Sequence, residues 1–323
     1  MEEVGLTKQC STLTKISDGI YQLVVRYPFD MFHMNSYFIQ GENGFTIIDT
    51  GSKATESIDL WEKTLSSGIK VEKLVLTHAH TDHLGLARWF QEKHHVPVYI
   101  SSLGYKEMVR NRNADGSSWF RSLLTTHGCP EFPMKQRKSE TDIFDFEPDG
   151  LFENQQSIKL GDETYETIWT PGHSCDHFCF YNRRQQVMVT GDHVLAGLSP
   201  IIAHWSENDE NPLKDNFASL ERLKVYPTKL ALPGHGELIF NMADRIDEMI
   251  SGHKHRLQQV LNAVSQIEKT SWQVCQEIYG PVQPPQSFAP LLATITRLIY
   301  LELSGEVYSE LRDGKLFFHS STI

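Results

Sequence analysis

The chain has 323 residues, a formal net charge of −11 at pH 7, 40% hydrophobic and 22% charged residues. That length supports a substantial core in one or two domains, the composition is that of an ordinary globular protein rather than a disordered or fibrous one, and the acidic balance argues against broad, non-specific nucleic-acid binding while leaving room for a locally basic groove. The five cysteines (Cys10, Cys129, Cys175, Cys179, Cys275) are an odd set with no paired framework, no apolar run is long enough to span a membrane, and MEEVGLTKQC has no signal-peptide core, so the expected location is the cytoplasm.

The first residues are polar and read as a loose arm. Gly19 to Arg26 alternates as an opening strand, Tyr37 to Gln40 is a second, Glu42-Asn43-Gly44 a hairpin turn, and Phe45 to Ile48 a third. This meander delivers Asp49 to a strand end, where Gly51 lets the chain turn before a helix over Thr55 to Leu65. Residues 72 to 88, EKLVLTHAHTDHLGLAR, then hold the densest chemistry in the chain. Leu74 to Leu76 suits a buried strand, and Leu84 onward reads as the start of a helix. Between them lie His78, His80, Asp82 and His83. His78 and His80 are two apart and point the same way on extended chain, while Asp82 and His83 fall past the turn and can face a second point nearby. One tight turn thus offers ligands to two adjacent cations.

The helix continues through Arg88 to Lys93, with His94 and His95 facing solvent at its end, and Val96 to Ile100 is the next strand. Residues 103 to 154 are the least regular stretch and read either as a functional cover or as a partly helical excursion with its own small core. Arg110, Arg112, Arg121, Lys135, Arg137 and Lys138 make the stretch locally basic, and Trp119, Phe120 and His127 are candidates to line a substrate. Ile158 to Leu160 and Tyr165 to Thr170 predict a hairpin across Gly161-Asp162. Cys179 to Tyr181 and Val187 to Thr190 are further strands, Asp215 to Lys224 a helix, and Leu230 to Leu232 a last strand. Cys175 and Cys179 are expected on one strand face as small packing residues rather than ligands.

Three of these strands share one grammar: an apolar run, a glycine turn, then a ligand. It yields His173 after TPG, Asp192 after VTG and His235 after LPG, each at the C-terminal edge of a sheet, where sites in layered α/β proteins collect. His193, beside Asp192, reads as an orienting or packed residue. From Met242 the pattern turns helical, with a break expected at Gly252, then a helix from Trp272 capped by Thr270-Ser271, a third from Ala289 to Leu303, and a hairpin turning at Asp313-Gly314. Three helices and a hairpin look like a winged helix. The balanced charge after Gly252 and a third helix carrying only Arg297 favour a packing or dimerising module over a nucleic-acid reader.

THAHTDHLG, TPGHS, VTGD and LPGHG, in that order, with FTIIDTG at 45 to 51, resemble the motifs of the metallo-β-lactamase superfamily from about residue 20 to residue 240. Within it the chain is similar to the glyoxalase II pattern and to the beta-lactamase-like protein 2 group, the latter also through NPLKDNFASLERL at 211 to 223. The resemblance implies an α/β four-layer αββα sandwich in residues 1–250, with 103–154 as an insertion or cover and 251–323 as a winged-helix-like α+β region. It implies a first metal site of His78, His80 and His173, a second of Asp82, His83 and His235, and Asp192 bridging the two, with Asp49 behind them accepting a hydrogen bond from a ligand. The loop Phe29 to Met34, with His33, would border the cleft. All donors are N or O, which suits two divalent cations: zinc, with manganese or iron as alternatives. The expected reaction is attack by a metal-bound hydroxide on an ester, thioester or lactone of a small-molecule substrate, Asp82 taking the proton while it ligates. Cleavage of RNA phosphodiesters is the alternative, and a mono-iron sulfur dioxygenase a third reading. No membrane partner is expected, and a homodimer would suit the C-terminal region.

Overall fold

The computed structural model describes residues 12–26, 33–113, 116–131, 141–281 and 288–321. Seven strands, β1 (Leu13–Ser17), β2 (Ile20–Arg26), β3 (His33–Gly41), β4 (Gly44–Ile48), β5 (Val71–Val75), β6 (Val98–Ser101) and β7 (Gly150–Phe152), pair side by side in sequence order. β1 to β4 form antiparallel hairpins, and β4 to β7 run parallel. The parallel crossovers carry α1 (Thr55–Leu65), then α2 (Thr81–Leu84) with α3 (Ala87–His94), then α4 (Ser102–Asn113) with α5 (Gly116–Thr126). A five-stranded sheet holds β8 (Ser157–Leu160), β9 (Glu163–Trp169), β10 (Phe178–Asn182), β11 (Val187–Gly191) and β12 (Leu230–Pro233), the last pair parallel across α6 (Pro212–Leu223). The chain continues through α7 (Met242–Ala263), α8 (Ser271–Tyr279) and α9 (Phe288–Leu303) into a hairpin of β13 (Val307–Arg312) and β14 (Lys315–Ser320).

Strand alternation sorts the side chains into layers. On β3, Phe38 packs outward with Trp61 of α1 and Phe90 of α3, whereas Tyr37 and Ile39 point to the second sheet and meet Phe178, Phe180 and Leu232. On β10, Cys179 and Tyr181 turn the other way, to Leu220 of α6 and Ile246 and Met249 of α7. Helices, sheet, sheet, helices is the expected αββα sandwich. Its consequence for function is positional: β4, β5, β9, β11 and β12 all end at one rim, and Asp49, His78, His173, Asp192 and His235 follow those ends.

Several local expectations change. A strand not expected from the sequence, β1, precedes Gly19, while residues 1–11, expected as a loose arm, and Phe29 and Phe32 lie outside the described residues. Gly252 does not break its helix: α7 runs unbroken through it, because Ile246, Met249, Ile250, His253, Leu257 and Val260 bury one continuous stripe that outweighs the roughly 1 kcal/mol helix penalty of glycine. A division at 250/251 therefore falls inside a helix. Among its described residues the 103–154 stretch is mostly helical, and near its end it supplies β7, the seventh strand of the first sheet. Lys135, Arg137 and Lys138 lie outside the described residues, but Arg112 donates to Glu147 and Phe144, and Arg110 pairs with Glu107, so these two cations are used internally. His94 is half-buried against Trp89, with ring centroids 4.4 Å apart, rather than facing solvent. Cys175 sits in the turn before β10, exposed, and does not share a strand face with Cys179.

Trp61 ties α1 to the site. Fully buried, it stacks on Phe38 at 5.6 Å and donates its indole N–H to the Thr50 carbonyl at 2.7 Å. Trp61→Phe leaves that carbonyl unpaired and a void behind it, and is expected to cost about 2–4 kcal/mol, read as a lower urea midpoint with an unchanged slope.

Candidate metal centre

The turn after β5 carries His78 and His80, the latter on extended chain, and α2 opens immediately after His80. The structure brings the seven expected side chains into two groups: His78, His80 and His173, and Asp82, His83, Asp192 and His235. In each group one donor atom from every member lies within 4.8 Å of the others. Asp192 faces both. Its Oδ2 is 3.5 Å from His173 Nε2 and 3.4 Å from His235 Nε2, and its Oδ1 is 3.4 Å from His83 Nε2. Asp82 Oδ2 stands 3.3 Å from His235 Nε2.

Four of the rings are oriented from behind. His173 Nδ1 donates to the Ile201 carbonyl at 2.9 Å, and His235 Nδ1 to the His33 carbonyl at 3.0 Å. His83 Nδ1 meets Asp49 Oδ2 at 2.8 Å. Thr77 spends its hydroxyl hydrogen on the same Asp49 oxygen at 2.7 Å, so toward His78 Nδ1, 2.9 Å away, it acts as acceptor. Four acceptors therefore put the proton on four Nδ1 atoms and turn the Nε2 lone pairs inward. His78 Nε2, His83 Nε2 and Asp192 Oδ1 are buried without a hydrogen-bond partner. Buried lone pairs converging in this way repel unless a proton or a cation lies between them, so the residues present fit divalent cations. Gly234 adds a cradle: a Cβ there would lie 2.3 Å from Asp192 Oδ1 and 2.8 Å from His83 Cε1, so only glycine lets the backbone pass.

The two groups differ electrically. Burial, and then the charges of His83 and His80, hold His78 far below the usual imidazole range; burial and then His173 push His80 down to about 3. In the second group burial also opposes charge, but hydrogen bonds to Asp192 and Asp82 outweigh it and carry His235 up to about 10. His83, beside Asp192, Asp49 and Asp82, is likewise raised against its burial. Both upward shifts have one cause, the carboxylates gathered in this group, which favour positive charge there, whether of a proton or of a cation.

Asp49 stands where expected, behind the cluster. Its N–H donates to the Val75 carbonyl at the end of β5, and its carboxylate also accepts the Thr77 N–H at 2.9 Å. Its φ of 57° is the left-handed conformation that Asp tolerates better than most residues. It opens no helix, since α1 is preceded by Ala54. His33 contributes a backbone carbonyl to the centre. His193 is buried with neither ring nitrogen hydrogen-bonded, hence packed rather than orienting.

Two residues escape a sequence reading. His177 accepts the Asp192 N–H on Nε2 at 3.0 Å and is fixed by Thr170 at 2.7 Å. Asp176, fully buried, accepts the Ala79 N–H at 2.8 Å between His78 and His80, and also pairs with Ser174. The His-Ser-x-Asp-His run over 173 to 177 was the available signal, though His177 and Asp176 point to backbone rather than to a cation.

An αββα sandwich with imidazole and carboxylate donors gathered at its strand ends defines a metallo-hydrolase class. The chain belongs to the metallo-beta-lactamase superfamily, whose family model matches residues 31–235. It is 25% identical to the probable metallo-hydrolase YqjP of Bacillus subtilis, over 94% of this chain and 98% of that protein. It is 24% identical to the beta-lactamase-like protein 2 homolog of Caenorhabditis elegans over 83% of this chain and 79% of the relative, and 26% identical to an atrochrysone carboxyl ACP thioesterase of Aspergillus novofumigatus over 79% and 66%. A metallo-beta-lactamase family protein of Thermus thermophilus superposes with a TM-score of 0.82 at 26% identity, covering 94% of this chain and 99% of that one. A beta-lactamase domain protein of Burkholderia ambifaria shares the fold, with a TM-score of 0.84 at 23% identity over 97% and 95%.

Burial raises the Asp176 carboxyl from its ordinary value to about 6, against hydrogen bonds that favour its charge. A carboxyl raised by folding contributes stability that is fully present below its unfolded value near 4 and lost as pH rises through 6, a span of about 3 kcal/mol. Asp176→Asn is therefore expected to flatten the difference in urea stability between pH 4 and pH 7 relative to the wild-type chain.

Proposed function

We propose that this protein is a dinuclear metal-dependent hydrolase of ester, thioester or lactone carbonyls, with thioesters favoured. The observation that carries the reading is the convergence of four inward Nε2 lone pairs and two carboxylates on two adjacent points, with no sulfur donor in either group. His78, His80 and His173 would hold one cation, and Asp82, His83 and His235 the other, with Asp192 shared between them. Such a donor set suits zinc. Bound there, the cations would supply Lewis acidity and make water a nucleophile at neutral pH.

The residues divide the remaining work. Asp192 faces donors of both groups and supplies shared negative charge that lets two cations sit close together. Asp82 is the more open of the two carboxylates, with 36% of its side chain exposed against 8% for Asp192. It would take the proton from the attacking water, being the carboxylate open to solvent, whereas both oxygens of Asp192 face imidazole rings. Asp49, Thr77 and the carbonyls of His33 and Ile201 fix ring orientation, so little reorganisation accompanies attack.

The fungal relative's designation as an acyl-carrier-protein thioesterase supports the thioester among the three carbonyl classes. The internal pairing of Arg110 and Arg112 weakens the case for RNA, since these cations do not form a free phosphate-binding face.

The test is a metal count on the purified chain, with S-lactoylglutathione and single-stranded RNA assayed on the same zinc-loaded preparation. Two equivalents of zinc and thioester turnover are expected. Chelation or His80→Ala should lower turnover about a thousandfold, corresponding to several kcal/mol of transition-state stabilisation. RNA cleavage without thioester turnover, or a single iron with oxygen uptake, would overturn the reading.

A further inference from the structure

The C-terminal helices reach the metal centre through one loop. Residues Ile201 to Trp205 lie between β11 and α6, and both ends of that loop grip His173. The Ile201 carbonyl accepts from His173 Nδ1 at 2.9 Å, and the Trp205 indole N–H donates to the His173 carbonyl at 2.7 Å. The Trp205 ring also stands edge-on to His80, with centroids 5.5 Å apart and planes at 78°. Its backbone N–H is fixed by Asp209 Oδ2 at 2.8 Å.

The three residues between those ends are anchored elsewhere. Ile202 is buried with Leu257 and Val260 of α7, Val274 of α8 and Leu298 of α9. Ala203 is buried with Cys275 of α8, Leu292 and Ile295 of α9, and Leu124 of α5. His204 Nδ1 lies 3.3 Å from the hydroxyl of Thr296, on α9. Five consecutive residues thus tie the helical C-terminal region to two members of the first donor group. The second group is held from the sheets instead: His83 is oriented by Asp49, His235 by His33, and the Asp192 N–H by His177.

We propose that Trp205 is a positioning residue for the first cation site, and that the C-terminal region acts through it as a brace on His173 and His80. This rests on the metal reading above. Orienting partners behind metal-bound histidines commonly govern affinity by about 10- to 100-fold, and here the loop that supplies the ring's acceptor and pins its backbone carbonyl is packed, through Ile202, Ala203 and His204, on α7 to α9 rather than on the sheets. The brace gives the region from α7 onward a role inside the catalytic unit, and it predicts unequal effects on the two sites.

Trp205→Phe keeps an aromatic ring beside His80 and removes the indole N–H together with the pyrrole part of a half-buried side chain. Zinc affinities of the full-length wild type, Trp205→Phe and Thr296→Val are measured by chelator competition, with thermal melting of each metal-free chain alongside. In Trp205→Phe the first-site affinity is expected to fall about tenfold, the second-site affinity to stay within about twofold, and the melting temperature of the metal-free chain to drop by only a few degrees, the cost of about one hydrogen bond from a half-buried side chain. Thr296→Val, acting from the far side of the loop, should shift the first-site affinity the same way by a few-fold. Two zinc ions held with wild-type affinities in both variants would overturn the brace alone. Equal weakening of both sites would also overturn it, since that is the mark of general loosening. A wild-type chain that binds no zinc would overturn the metal reading and the brace with it.

Discussion

The structure depends on one electrostatic arrangement: hydrogen-bond acceptors behind four imidazole rings. Ile201, His33, Asp49 and Thr77 each occupy an Nδ1, and the four Nε2 lone pairs that result all aim at a small buried space. Bare lone pairs so close together are unfavourable in a medium where water cannot solvate them. The apolar layers supply the energy that holds them there. Phe38, Trp61 and Phe90 on one side of the first sheet, and Tyr37, Phe178 and Leu232 on the other, fix strand ends whose next residues are the donors. Fold stability and site strain are thus coupled through the last residues of β4, β5, β9, β11 and β12.

Thr77 shows how finely the arrangement is set. Its hydroxyl has one hydrogen and gives it to Asp49, which already accepts from His83. That choice makes Thr77 an acceptor toward His78 and fixes the tautomer of a ring that Asp49 does not touch. One carboxylate therefore sets the orientation of a member of each donor group. Asp49 adopts a left-handed backbone to do so, a local cost accepted at a position where the sheet delivers the chain to the site.

Much of this was legible in the sequence, for identifiable reasons. Donors came with strict local grammar: apolar run, glycine turn, His or Asp. Such a pattern fixes both the strand and the edge at which it ends, so His173, Asp192 and His235 are placed by it, and His78 by its position just past the apolar run of Leu74 to Leu76. The helix over Thr55 to Leu65 and the hairpin turning at Asp313-Gly314 were readable for the same reason, being set by local period and turn chemistry. What stayed hidden was set by distant partners. The left-handed Asp49, the backbone role of His33, and the hydrogen bonds of Asp176 and His177 depend on chain that arrives from another strand. Gly252 misled because the penalty of one glycine is local, whereas the stripe that overrides it spans the whole of α7.

The same contrast explains why the loop from Ile201 to Trp205 reads as merely apolar in the sequence. Its residues alternate between two masters: Ile202 and Ala203 are buried among the C-terminal helices, while the Ile201 carbonyl and the Trp205 indole turn to His173. Neither helical nor strand periodicity describes such a segment, because its contacts are not on one face of anything. A loop that must satisfy two bodies at once has few conformations open to it, and little freedom remains to be lost when a cation binds. His173 Nε2, whose Nδ1 proton is committed to Ile201, lies 3.0 Å from His80 Nδ1 and accepts a hydrogen bond from it. A cation entering between the two rings would replace that hydrogen bond, and the loop behind them is packed against the helices that follow the sandwich.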